Sequence, residues 1–410
     1  MTQVLIAANG SFGDLYPMLA VAARLQALDA KVTFAAPSFY RQTCERHGFE
    51  FTELGRARDY VESVQYDRTM LTDAGTGELM DRTSFQPLEQ RYAETLGAAD
   101  SADAVVAPLH VVPAHLVAEK KAIPFIACAL GMAHLISPTA GGRADKAYAA
   151  RTVRWHKALS DLRRKHGLAR QVLPCTSMVR SASCTLGLLP AFLTQDSSYI
   201  TSLEVVGYPQ YQQLGPLDPA RDEELRSFCD SRTIVFSFGS FADACDPSSF
   251  FEESVAACRM LGLKCLYLSR YVDGETAARV AGDDVILRDY VPHREVFPLV
   301  GAIVHHGGTG TLMLACEYAK PMVIVPFFLD QPLHAARMQT LIGAQYIPWQ
   351  QYQRSNVAGT LAGTLENAAS LCAKLAALKP DCRDGAERAA LRILSVVGAD
   401  RAKHGRGATA

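Results

Sequence analysis

Val304-His305-His306-Gly307-Gly308-Thr309-Gly310-Thr311 is the stretch on which the reading of this chain turns. It follows a short apolar run, 302–305, and opens a segment, 311–318, that reads as helix and that Lys320-Pro321 ends. A glycine-rich turn from strand to helix lets the backbone approach a ligand closely. The first amides of the helix lack internal partners and point at that ligand. The helix dipole adds roughly 0.3–1 kcal/mol for an anion there. The loop therefore reads as an anion site, for phosphate above all. Thr309 and Thr311 add hydroxyl donors, and His306 adds an imidazole N–H whose bond to phosphate strengthens on protonation. The loop is not a Walker A motif, since no Gly-Lys-Ser/Thr follows, and it lacks the third glycine of a dinucleotide fingerprint. A tight turn with incidental histidines is the plainer alternative.

Further apolar runs lie at 4–8, 32–36, 104–107, 124–128 and 184–189, then at 233–238, 264–268, 285–287 and 322–326. Each is short, bounded by Gly, Pro or Asp, and followed by a longer segment of helical period. Met18, Val21, Ala22, Leu25 and Leu28, for example, share one helix face. Strands alternating with helices give an α/β fold with parallel sheets covered by helices on both sides. The Gly207–Pro219 stretch has three prolines, two glycines and one charge, and reads as a linker. The chain thus divides into 1–207, a linker at 208–224, a second domain at 225–385, and a last helix and frayed tail at 386–410. Two doubly wound domains facing a cleft are the expected architecture, with ligands in that cleft.

Composition narrows the field. The chain has 410 residues, 49% hydrophobic and 20% charged, which suits two or three folded domains. The net charge of −1 gives no field to attract nucleic acid. No run of about 18 apolar residues escapes a charge or a helix breaker, so no membrane span is expected. The start, Met1-Thr2-Gln3-Val4-Leu5, has no basic region of the kind that opens a signal peptide. Eleven scattered cysteines without a CxxC pair fit free thiols in a cytoplasmic setting. Residues 151–170 are basic, with Trp155, Leu159 and Leu162 on one side. That segment is a solvated helix packed on its domain or one that lies on a membrane surface.

Asp330 and Gln331, within Pro326-Phe327-Phe328-Leu329-Asp330-Gln331-Pro332, follow the next buried strand. A carboxylate and an amide at that rim offer what sugar hydroxyls need. Asp330 also suits a helix N-cap, with Pro332 in the first turn.

Tyr290-Val291-Pro292-His293, then His305-His306-Gly307-Gly308-Thr309-Gly310-Thr311, then Pro326 to Pro332 resembles the donor signature of the nucleotide-sugar glycosyltransferases of the GT-B fold. The subgroup includes sterol glucosyltransferases, glycolipid rhamnosyltransferases and glycosyltransferases of antibiotic biosynthesis. Gly10-Ser11-Phe12-Gly13-Asp14-Leu15-Tyr16-Pro17 resembles the opening loop of that family, and Phe238-Gly239-Ser240 the loop that starts its donor domain. The resemblance runs from residue 4 to about 340.

It implies two Rossmann-like domains and an inverting, metal-independent transfer of a hexose or 6-deoxyhexose. The donor would be of the UDP-glucose or dTDP-rhamnose type, and the acceptor a hydroxyl on a small lipophilic molecule. The nucleotide sugar is a substrate, and no cofactor is implied. Tyr290 would stack on the base and the backbone at Val291 would pair with its edge. His306, Gly308, Thr309, Gly310 and Thr311 would hold the diphosphate, with Ser240 nearby, and Asp330 and Gln331 the sugar. Asp14 would be the catalytic base, and Phe12 and His134 would face the acceptor.

Leu314 stands where many uridine-nucleotide enzymes carry a ribose-gripping Glu, which suits a deoxyribose carrier, and His293 stands where Gln is frequent. An aspartate with an ordinary pKa near 3.9 is a weak base at pH 7. A pairing of Asp14 with His110, just past the 104–107 run, would supply a base near neutrality. Asp14 also suits a plain N-cap of the first helix. A UDP-sugar epimerase of the same fold and a catalytically inactive homologue remain as alternatives. A nicotinamide dehydrogenase lacks its fingerprint.

Overall fold

The computed structural model describes residues 1–55, 77–78, 81–135, 146–169, 182–194, 200, 203–211, 219–239, 246–378 and 384–404. Contacts divide the chain into two compact units. One comprises 1–65, 74–214 and 383–410, the other 66–73 and 215–382.

The first unit is built on a parallel sheet of seven strands. They are β1 (Gln3–Ala7), β2 (Lys31–Ala36), β3 (Glu50–Glu53), β4 (Ala104–Pro108), β5 (Phe125–Ala129), β6 (Cys184–Gly187) and β7 (Leu203–Val205), in the order β3-β2-β1-β4-β5-β6-β7. Every residue of β4 and β5 is buried, as expected of strands with helices on both faces. The order reverses between β1 and β4, so the crevice for a ligand lies beyond their C-terminal ends. The second unit repeats the scheme with β8 (Thr233–Ser237), β9 (Lys264–Leu268), β10 (Val285–Arg288), β11 (Ala302–His305), β12 (Met322–Ile324) and β13 (Gln345–Tyr346). Their order is β10-β9-β8-β11-β12-β13, all parallel, with the reversal between β8 and β11.

The ten apolar runs are all strands. The three strands without such a run, β3, β7 and β13, lie at sheet edges and are largely uncovered. The expected linker is shorter than 208–224. Tyr208 is buried in the first unit, and Tyr211 stacks on Tyr16 at 4.4 Å. The helix Pro219–Phe228 already belongs to the second unit. A proline in the first helical position gives up an N–H that had no partner there anyway, so the proline that reads as linker opens a helix.

The helix Gly385–Lys403 packs in the first unit. Ala389, Ala390, Ile393 and Val397 join the core that Met18, Val21 and Leu25 build from the helix Phe12–Ala27. Arg392 grips Glu204 with two bonds of 2.6 Å, and Arg401 reaches Asp103 at 2.6 Å. Residues 405–410 lie outside the described residues.

The basic segment is the helix Lys146–Lys165. Its apolar side, Trp155, Leu159 and Leu162, is buried in the domain, so that side is not free to enter a membrane surface. Arg163 is buried as well, donating to the Ala169 carbonyl and to Glu119. Among the described residues no helix is long and apolar enough to cross a membrane, and none of the eight described cysteines is in a disulfide.

Candidate active site

Beyond β11 the chain turns at Gly307, whose φ is +84°, and Gly308 caps the helix Thr309–Glu317. The N-cap makes no side-chain hydrogen bond to that helix, and the positive end of the helix dipole favours an anion there. A Cβ on Gly308 would lie 2.3 Å from His306 Nε2. One on Gly239, whose φ is +76°, would lie 2.9 Å from the same atom. Two glycines thus flank the His306 imidazole.

His306 Nδ1 lies 3.3 Å from the Ser237 carbonyl at the end of β8. A carbonyl only accepts, so the neutral ring carries its proton on Nδ1 and presents a bare Nε2. This corrects the expectation of a ready N–H for phosphate: Nε2 donates only once the ring is doubly protonated. Burial depresses the His306 pKa and nearby His334 adds to this; the Ser237 bond and Asp330 oppose it. An arriving dianion would favour the second proton.

Ser237 serves a second histidine. His293 Nε2 lies 3.2 Å from Ser237 Oγ, and its ring stacks on Phe297 at 4.7 Å. His293 is therefore part of the support behind His306. Tyr290 is 48% exposed after β10, with Val291 buried beside it. Thr311 is buried, and Thr309 and Gly310 are partly exposed. Ser240 lies outside the described residues.

Asp330 occupies the N-cap position of the helix Gln331–Ile342, but its side chain makes no cap hydrogen bond. The carboxylate is partly exposed and faces His334 Nε2 at 3.6 Å. The preceding Leu329 has φ +55° and is exposed; a leucine in that region is strained, as residues at binding sites often are. Gln331 is buried, and its Oε1 accepts from the Phe327 and Phe328 amides at 2.9 and 3.4 Å. That oxygen closes the turn, so the donor end of the Gln331 amide is its Nε2. His334 and Ser237 have no place in the sequence reading. The spacing of Asp330 and His334, i and i+4 on one helix, is the signal that could have found the first.

The first unit has its own rim at the β1/β4 reversal. Gly10, with φ +114°, passes so close to Asp14 that a Cβ would lie 2.4 Å from Oδ2. Ser11 is the N-cap of the helix Phe12–Ala27, and Asp14 completes a capping box. Asp14 Oδ2 accepts from the Ser11 amide at 2.8 Å and from its hydroxyl at 3.0 Å. Asp14 is therefore not the cap itself, and Oδ1 is its remaining acceptor.

His110 does not pair with Asp14. Its Nε2 donates to the Asn9 carbonyl at 2.7 Å, and no hydrogen bond joins the two side chains. His110 stacks on His134 at 5.5 Å. His134 Nδ1 accepts from the Leu130 amide, and burial, then His110, push its pKa down to about 3. Phe12 packs against Tyr16, Phe39 and Tyr40, and the Tyr40 hydroxyl donates to the Gly10 carbonyl at 2.7 Å.

The neutral histidines have a consequence for stability. His115 and His293, like His134, are held low by burial first, each to about 4. The unfolded chain protonates them near pH 6.5 while the native state refuses the protons, so their contribution is complete above that pH. It is lost as the pH falls from 6.5 toward 4. The melting temperature is expected to drop steadily between pH 7 and pH 5. A flat profile over that range would contradict this assignment of neutral rings.

Sequence comparisons agree with this geometry. The Glycosyltransferase family 28 N-terminal domain matches residues 4–132, and the Erythromycin biosynthesis protein CIII-like C-terminal domain matches residues 273–380. Glycosyltransferase GtfE of Amycolatopsis orientalis is 24% identical over 374 residues, 83% of this chain and 84% of its own. Sterol 3-beta-glucosyltransferase UGT80A2 of Arabidopsis thaliana is 24% identical over 376 residues, 85% of this chain and 58% of its own. Among solved structures, the spinosyn rhamnosyltransferase SpnG superposes with TM-score 0.71 at 18% identity, over 96% of this chain and 100% of its own. The glycosyltransferase VinC, solved with dTDP, gives 0.72 at 18% identity over 99% and 100%. The two parallel-sheet domains are those of the GT-B fold. The chain belongs to the GT-B glycosyltransferases of the family 1 type.

Proposed function

We propose that the chain transfers a hexose or 6-deoxyhexose, with inversion and without a metal, from a nucleoside diphosphate sugar to a hydroxyl of a small lipophilic acceptor. The observation that carries the reading is the second unit's rim. An uncapped helix start built on Gly307 and Gly308 faces His306, and Asp330 there is not used as a cap.

The leaving diphosphate is stabilised by the first-turn amides of the 309–317 helix and by His306 once it is doubly protonated. Asp330 and the Gln331 amide nitrogen hold the sugar, and Tyr290 meets the base. In the first unit Asp14 receives the acceptor proton through Oδ1. The transition state is oxocarbenium-like, so a proton that leaves late needs only a modest base. Phe12, with its aromatic neighbours, and His134 meet the acceptor. Leu314 in place of a ribose-gripping acid favours a deoxyribose carrier, and SpnG and VinC have been solved with thymidine diphosphate. The names of GtfE and of the plant sterol enzyme support a natural-product or sterol-like acceptor.

A thermal-shift panel with UDP, dTDP, GDP, NAD and the sugar conjugates tests the donor. Binding at 100 times Kd stabilises the fold by about 2.7 kcal/mol, a rise of a few degrees. A response to NAD alone would overturn the reading. Asp330→Ala is expected to weaken dTDP-sugar or UDP-sugar binding about tenfold, worth roughly 1.4 kcal/mol, and to leave the free diphosphates nearly unchanged. Equal loss for both ligands would show that Asp330 does not read the sugar.

A further inference from the structure

The two adjacent histidines of the loop, alike in the sequence, face opposite ways. His306 carries its proton on Nδ1, toward Ser237. His305 ends β11 fully buried, and its Nδ1 accepts from the Gly307 amide at 3.1 Å. An amide only donates, so His305 Nδ1 is a lone pair and its proton sits on Nε2. Nε2 lies 3.5 Å from Sδ of Met322, the first residue of β12 and a weak acceptor that suits such a donor. Burial, then His306, hold His305 well below the usual histidine range, so the ring stays neutral and Nδ1 stays an acceptor.

The other side of Gly307 is held as firmly. His334 Nδ1 lies 2.7 Å from the Gly307 carbonyl oxygen, across 27 residues of chain. Gly307 is buried, with φ +84°. A Cβ there would lie 2.9 Å from Cγ2 of Ile324, the last residue of β12. Thus β11, β12 and the 331–342 helix converge on one glycine, whose amide and carbonyl are both engaged inside the protein. Gly308, Thr309 and Gly310 are partly exposed. Beyond His306, the backbone that a ligand can reach begins at Gly308.

We propose that His305 is a positioning residue for the donor site: it turns the Gly307 amide into the protein and, with His334, fixes the peptide from which Gly308 and the 309–317 helix start. The diphosphate then meets His306 and the chain from Gly308 onward, and not the Gly307 amide. This rests on the donor site proposed above. It goes further in giving each histidine of the doublet its own task, His306 at the ligand and His305 beneath the turn. Without an acceptor at His305, the buried Gly307 N–H must rotate toward water to find one. That rotation swings the start of the helix away from His306.

The Gly307 amide is the first readout, and it needs no change in the loop. Histidine labelled with 13C at the carbonyl and glycine labelled with 15N leave signals only from the His–Gly pairs at 47–48, 166–167, 306–307 and 404–405. His47→Gln, His166→Gln and His404→Gln each delete one of them, which identifies Gly307. Its amide is expected to exchange with solvent about 100-fold more slowly than an open loop amide, and to keep that protection with UDP or dTDP bound. Fast exchange in the free protein would overturn the proposal. So would protection that arises only when UDP binds, which would put this amide on the phosphate.

His305→Phe keeps a flat ring and removes the acceptor. It is expected to bind UDP, dTDP and UDP-glucose each about tenfold more weakly, with the Gly307 amide exchanging fast. His305→Asn puts Oδ1 where Nδ1 stood. It should restore slow exchange and bring binding back to within about threefold of wild type. Plain packing predicts the reverse order, since phenylalanine fills the buried site and asparagine leaves a cavity. Wild-type affinity in a folded His305→Phe, or equal losses in the two variants, would overturn the proposal. A loss confined to UDP-glucose would do the same, because the turn carries the diphosphate. If neither variant folds, the exchange of the wild-type amide decides. Failure of the wild type to bind any of the three ligands would remove the donor site itself, and with it this use of the anchor, whatever the exchange shows.

Discussion

Asp14→Asn is expected to lower turnover by about 10²-fold or more while leaving the affinity for UDP or dTDP unchanged. The structure makes this substitution unusually clean. Asp14 Oδ2 accepts from the amide and hydroxyl of Ser11, and an asparagine oxygen can take the same two bonds. The capping box then survives, and only the basic oxygen, Oδ1, is exchanged for an amide nitrogen. Ser11→Ala is the matching control. It removes the cap of the 12–27 helix, costs about 1 kcal/mol of stability and leaves the carboxylate in place. If Asp14 acts only through the cap, Ser11→Ala should damage activity as much as Asp14→Asn. If Asp14 is the base, Asp14→Asn should be far worse despite the smaller loss of stability. His110 separates in the same way. His110→Gln keeps a donor near the Nε2 position for the Asn9 carbonyl, so it should be mild if His110 only holds the loop. It should be severe if Nδ1 receives the proton. Turnover and melting temperature measured on the three variants decide among these roles.

What the sequence shows of this molecule follows from where its information is dense. The central strands could be read because burial on both faces demands unbroken apolar runs such as Val4-Leu5-Ile6-Ala7. Three of the four edge strands could not, since a strand such as Glu50–Glu53 has one neighbour and no need for such a run. The helix at Pro219 was hidden because proline and glycine mark linkers and helix starts alike. At the site, the glycine turn announces an anion site by its spacing, but the tautomer of His306 depends on Ser237, 69 residues away in the chain. The same holds for His110, whose proton is fixed by Asn9. A pattern of residue types identifies the groups at a site. The direction of each proton is set by partners that only the folded chain brings near, and the expected Asp14–His110 pair failed on that point.

Gly308→Ala carries the other large effect, expected on binding rather than on turnover. Gly308 has φ −61° and ψ 142°, which any residue adopts, so its backbone asks for no glycine. The added Cβ would instead lie 2.3 Å from His306 Nε2 and 3.1 Å from Cδ2, well inside any real contact. The ring cannot retreat freely. Its Nδ1 is bonded to Ser237, and Gly239 closes on its other side. It must leave the diphosphate position or break that bond. Either outcome removes a charge-assisted bond worth about 1.5–3 kcal/mol to the bound anion. UDP and dTDP are therefore expected to bind about 100-fold more weakly, roughly 2.8 kcal/mol. Stability should change little, because alanine in an allowed conformation restricts the unfolded chain and offsets the displaced ring. Gly359→Ala is the contrast: it lies exposed within the helix Arg354–Glu366 with nothing within 4 Å of its added Cβ. That change should stabilise by up to about 1 kcal/mol and leave nucleotide binding untouched. The clash can also be tested through its partner. In a His306→Ala background the ring is gone, so Gly308→Ala should cost little more binding than His306→Ala alone. If the two losses add in full, Gly308 acts through the first-turn amides and not through His306, and the role given to the imidazole at the diphosphate falls.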